Sequence, residues 1–119
     1  MKKFICAAVI ACLLSAPARA ADDAGAANDQ MMITALTMLH MRVYMLELCG
    51  VTESDAPAEF AKNRAEEERF LGALSEDARR NLPAEYAKME ASIKADWDKG
   101  SEAHRAQNCV SVKAGAGVQ

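Results

Sequence analysis

The chain has no G-x-S-x-G elbow, no glycine-rich loop of the kind that cradles phosphates and no C-x-x-C pair. Hydrolase, nucleotide-dependent transferase and dithiol oxidoreductase readings therefore lose their usual starting points. Only two histidines, His40 and His104, carry a side chain whose ordinary pKa suits a base at neutral pH. Neither has a nucleophile marked out beside it, and the expectation is a protein that is not an enzyme. Nothing repeats at a fixed period, and no stretch alternates apolar and polar residues strongly enough to propose a sheet. No run after the first 20 residues reaches the roughly 18 apolar residues of a membrane helix. Basic stripes interleaved with aromatics are also missing, which argues against nucleic acid as a partner.

The N-terminus reads as an export signal. Lys2 and Lys3 are followed by a short apolar run from Phe4 to Leu14, and Ser15 to Ala20 ends in an A-x-A cleavage pattern. The expected divisions are a signal peptide over 1–20, a flexible mature N-terminus over 21–28, a helical domain over 29–112 and a flexible tail over 113–119. A rival processing route would lipidate Cys12 instead. Cleavage after Ala20 takes Lys2, Lys3 and Arg19 out of the 14 basic residues and leaves all 17 acidic ones, for a net charge of about −6. The expected product is acidic, periplasmic or secreted, and not inserted in a membrane. That charge also disfavours an anionic lipid surface.

Cysteine usage supports the same compartment. Cys6 and Cys12 leave with the signal, and Cys49 and Cys109 remain as an even pair, expected to form a disulfide. Closing a loop of about 60 residues lowers the entropy of the unfolded chain by an amount worth roughly 4 kcal/mol. For a domain of about 100 residues that is a large share of total stability.

Helix signals fill what is left. The segment MMITALTMLHMRVYMLELC has Asn28 or Asp29 as a candidate N-cap and Gly50 as its C-terminal stop. Ser54 or Asp55 is expected to cap a second helix opened by Pro57, with Phe60, Ala61, Ala65, Phe70, Leu71 and Leu74 inward and Glu66, Glu67 and Glu68 on a solvated face. Ser75 starts a short turn of helix that Pro83 interrupts. From Ala84 to Lys99, Tyr86, Met89, Ile93 and Trp97 recur at helical spacing, with a Glu90–Lys94 surface pair. Gly100 and Ser101 separate this from a last short helix carrying Cys109, after which Val110 to Val112 is briefly extended. The fold class is all-α, a small bundle of about four helices stapled by one disulfide.

The Met-rich helix raises the functional questions. Placed at 100° per residue, Met31, Met38, Met41, Met45 and Cys49 form one stripe, and Met32, Leu36, Leu39, Val43 and Leu46 form another about a third of a turn away. A zinc site from His40, Cys49, His104 and Cys109 has suitable ligand types but fails on geometry. His40 and Cys49 diverge by about 180° and lie about 13 Å apart along an intact helix. Met38, Met41 and Met45 at i, i+3, i+7 are an alternative Cu(I) site, because soft thioethers select that ion. Without it, no metal or cofactor is expected.

The reading the sequence favours is an exported binding protein that uses Met31, Met38, Met41 and Met45 toward an unidentified envelope protein or a second copy of itself, as in a homodimer. Periplasmic acid-stress chaperones and immunity or inhibitor proteins are competing classes, on architecture alone. The decisive observation is whether the Met stripe is buried in the single chain or exposed as an apolar patch.

Overall fold

The computed structural model describes the backbone of residues 2–118 and the side chains of residues 25–118. Four α-helices are present among the described residues: α1 (Lys2–Leu48), α2 (Pro57–Gly72), α3 (Glu76–Lys99) and α4 (Glu102–Gly115). No strand is assigned among them, and the all-helical expectation holds. The signal segment and Cys12 fall outside the residues whose side chains are described.

Helix α1 does not begin at Asn28 or Asp29. It is already helical there, since the alanine-rich stretch before Asn28 holds good helix formers and no proline to stop the helix. The two polar residues instead reach across the bundle. Ser75 donates to Asp29 from its backbone N–H at 3.0 Å and from its hydroxyl at 2.6 Å, and Asn28 Nδ2 donates to the Ala73 carbonyl at 3.4 Å. Residues expected to cap α1 therefore pin the α2–α3 turn. Gly50, with φ 76°, ends the helix in the left-handed conformation that glycine adopts without a steric penalty.

The second helix also opens differently from its sequence signals. Pro57 occupies the first turn as expected, but Ala56 stands at the N-cap with no side-chain bond. Asp55 is occupied elsewhere, accepting from the Thr52 backbone N–H and hydroxyl, both at 2.8 Å, in the preceding turn. Its inner stripe is Ala56, Phe60, Asn63, Phe70, Leu71 and Leu74, while Ala61 and Ala65 are exposed. Asn63 replaces the expected alanines at the centre.

Pro83 does not divide α3. It lacks the N–H that would bond back along the helix, yet Leu82 is buried on its near side and Tyr86 is packed on its far side, and both hold the segment against α1. Ser75 caps this helix, its hydroxyl accepting from Ala78 N at 3.3 Å, and Ser101 caps α4 by accepting from His104 N at 3.1 Å. Lys94 pairs with Asp98 and not with Glu90, because Glu90 bonds to His40. Val110 to Val112 is helical, α4 runs past Lys113 to Gly115, and Val118 packs against the core beyond it.

Each of α2, α3 and α4 packs chiefly on α1, which is the central helix. Asp29 with Ser75, Leu36 with Leu82 and His40 with Tyr86 show α3 running parallel to α1 at a constant offset. Leu39 with Asn63 and Arg42 with Glu59 show α2 running the other way. The core consists of two small clusters. Leu36, Leu74 and Leu82 form one with Met32, Ile33, Phe70, Leu71, Ala78 and Tyr86, and Leu46, Val51 and Ala56 form the other with Cys49, Phe60, Val112, Ala116 and Val118. Cys49 and Cys109 are disulfide-bonded with their Cα atoms 5.4 Å apart, so the second cluster is closed covalently at the end of α1.

Candidate functional site: an open methionine face

The aliphatic stripe of α1 faces the core. Leu36, Leu39 and Leu46 are buried, and Val43 and Met32 are half-buried beside them. His40, on the adjoining arc, packs on α3: its ring stacks on Tyr86 with centroids 4.0 Å apart and planes 5° from parallel, and Nε2 lies 2.8 Å from Glu90 Oε1. The methionine stripe lies on the other flank of the aliphatic one, away from His40. Met31 is 63% exposed, Met38 60% and Met41 40%, the large exposed apolar side chains among the described residues of α1.

The fourth stripe residue is handled differently. Met45 is half-buried between α1 and α4, where Val112 and Lys62 lie on one flank and Ile93, Trp97 and His104 on the other. The cause is the disulfide, which holds Cys109 against Cys49 and lays α4 over the last turns of the stripe. One end of the methionine face is thus roofed, and toward Met31 it is open.

The rims of the open part are charge-balanced. Arg42 pairs with Glu59 of α2 at 3.6 Å, and Lys88 pairs with Glu85 of α3 at 3.8 Å. Thr37 and Thr34 do not offer free hydroxyls, since each donates to a carbonyl of its own helix at 2.9 Å. Between α1 and α3 the floor of a shallow groove is formed by Met38 and Met41 with Met89, and Glu85, Lys88 and Thr37 edge it. Met89, one of the residues that recur at helical spacing along α3, is half-buried. Its position follows from the α1–α3 register, which sets it level with Val43, and there it lines the groove with Met38 and Met41.

Among the described residues, no three His, Cys, Asp or Glu side chains converge as metal ligands, and the four residues considered for zinc are dispersed. His40 is on Glu90, His104 is exposed on α4 and both thiols are spent in the disulfide. The shifted ionisations serve structure. Asp29 is held below the usual carboxylate range by the Ser75 hydroxyl and then by the Ser75 backbone N–H. Asp55 is lowered chiefly by the Thr52 backbone N–H. Burial, with a smaller contribution from the charge of Glu67, pushes the Tyr86 phenol up to about 12.

Among the described residues two buried polar side-chain atoms lack a partner, Asn63 Oδ1 and Tyr86 Oη, and both residues abut α1. Asn63 was not legible as an inner residue because its type belongs on surfaces; only its spacing from Ala56 and Phe70 places it on the inner stripe. The comparison of this chain with protein-family models, curated proteins and solved structures finds no match.

Proposed function

We propose that the chain is an exported, non-catalytic binding protein whose open methionine face packs against an apolar helix face of a protein partner, with a second copy as its occupant. The observation that carries this reading is the exposure of Met31, Met38 and Met41 along one side of the central helix. Met as core filler explains Met32, but it does not explain side chains left in water. A contiguous apolar strip on a small domain is more often an interface. Flexible thioether side chains suit a surface that must adapt to what covers it.

Charge selects among occupants. The flanking ion pairs are internally neutral, so the face neither attracts a strongly charged partner nor repels a copy of itself. A second copy supplies the same apolar strip, which suits a two-fold interface in which one patch meets itself. Export supports the reading as well, because the mature chain would meet this partner with the Cys49–Cys109 disulfide formed. Among the described residues no helix is long and apolar enough to cross a membrane.

Sedimentation equilibrium of the mature protein tests self-association directly. The wild type is expected to dimerise, and Met38→Glu with Met41→Glu to raise the dissociation constant at least about a hundredfold, since burying each Met side chain is worth about 1.5–3 kcal/mol. A wild type that stays monomeric at high concentration overturns the dimer. Intact mass of the envelope-fraction protein tests export: a chain beginning at Ala21 supports it, and one retaining Met1 refutes it.

A further inference from the structure

We propose that Met38, Met41 and Met89 form a thioether site for a soft monovalent cation, Cu(I) in the cell and Ag(I) as its surrogate. The three side chains line one groove between α1 and α3. Helical spacing alone would have joined Met38 and Met41 to Met45, but α4 packs beside Met45, which shares a groove with Met41 toward α2 and lines another toward Trp97, and Met38 lines neither. The tertiary structure therefore exchanges the third donor. Met89 comes from a second helix, and a site made from two helices can converge on an ion better than three positions along one cylinder.

Side-chain contacts tie the two helices together behind the groove. Glu90, the next residue after Met89, bonds to His40, and Tyr86, one turn earlier, stacks on the same imidazole. His40 lies between Met38 and Met41 in sequence, so the contact that fixes the α1–α3 register sits at the level of the three thioethers. The methionines themselves are accessible: Met38 and Met41 are exposed and Met89 is half-buried.

The donor chemistry selects the ion. Neutral thioether sulfurs are soft and bind Cu(I) while giving little to Zn²⁺, which takes thiolate, imidazole and carboxylate, or to Mg²⁺ and Ca²⁺, which take oxygen. They carry no proton at any physiological pH, so acid does not compete for them. Thiolates do not compete within the chain either, because Cys49 and Cys109 are bonded to each other. Glu85 stands at the edge of the groove with its charge offset by Lys88, which leaves three neutral sulfurs as the principal donors. This site uses part of the proposed docking face but does not depend on docking. Leucine in place of methionine keeps an apolar surface of similar volume and removes only the sulfur.

The test is titration of the mature, disulfide-bonded protein with Ag(I), and with Cu(I) against a competing chromophoric chelator. One equivalent is expected to bind, and Met38→Leu, Met41→Leu and Met89→Leu are each expected to weaken binding by at least about tenfold, a difference of about 1.4 kcal/mol. Met31→Leu and Met45→Leu are expected to leave the affinity unchanged. Retention of affinity in the triple Met38→Leu, Met41→Leu, Met89→Leu variant overturns the site. A loss in Met45→Leu equal to that in Met89→Leu also overturns it, in favour of a single-helix donor set. Thermal unfolding of each variant shows that the fold is retained, and sedimentation of the triple variant separates this site from self-association, which leucine preserves.

Discussion

Tyr86 shows how much a single side chain contributes to the bundle and at what cost. Its ring stacks on His40 and joins the first core cluster, but its hydroxyl is buried without a partner. An unpaired buried hydroxyl opposes folding by about 1–3 kcal/mol. Tyr86→Phe keeps the ring and is expected to leave stability at pH 7 equal to the wild type or higher, measured by urea denaturation. The same substitution has a clearer alkaline signature. A phenol raised to about 12 in the folded state, against about 10 when unfolded, contributes stability that is complete below pH 10 and is lost as pH rises toward 12. Wild-type stability should fall across that window, and the fall should be smaller in Tyr86→Phe. Equal slopes in the two proteins would mean that the phenol is not the group responsible. The aromatic spacing of Tyr86 was legible in the sequence, but its partner was not, because His40 lies 46 positions away on another helix.

At the level of the helices, the α1–α2 interface holds the one buried polar side chain among the described residues. Asn63 is 4% exposed at its centre, with one 3.4 Å bond from Nδ2 to the Leu39 carbonyl and an unpartnered Oδ1. Asn63→Leu removes the orphan and adds apolar contact with buried Leu39, and a gain of about 1–2 kcal/mol is expected by urea denaturation. A loss of stability would show that Asn63 fixes the register of α2. The first-turn signals of α2 also misled in an instructive way. Ser54 and Asp55 are good capping residues by type, but Thr52 offers Asp55 two donors within the same turn, and the local bond wins. Ser75 and Ser101 face no such competition and cap as expected.

For the bundle as one body, the disulfide has a role beyond loop closure. It fixes α4 over one end of the methionine face and so decides which methionines are covered. Cys49→Ala with Cys109→Ala is expected to cost about 4 kcal/mol on the loop-entropy relation. With a core of two small clusters, that is a large share of the total. Denaturation curves of the wild type and the double variant measure the difference, and a cost below about 1 kcal/mol would show that α4 docks by packing alone. Partial proteolysis of the same variant should release α4 first, exposing Met45.

The all-helical class, the pairing of Cys49 with Cys109 and the division of α1 into an aliphatic and a methionine stripe could all be read before any coordinates. They follow from spacing, from glycine placement and from which two cysteines stand outside the N-terminal apolar run, all of which are local or arithmetic. Which stripe is core could not be read that way, because both are apolar and periodicity cannot rank them. Packing in three dimensions made that choice. It also carried Met89 to Met38 and Met41, sent Met45 beneath α4 and put Asn63 inside. Those outcomes depend on the register between helices far apart in sequence, which is set by contacts around Leu36, Leu82, His40 and Tyr86.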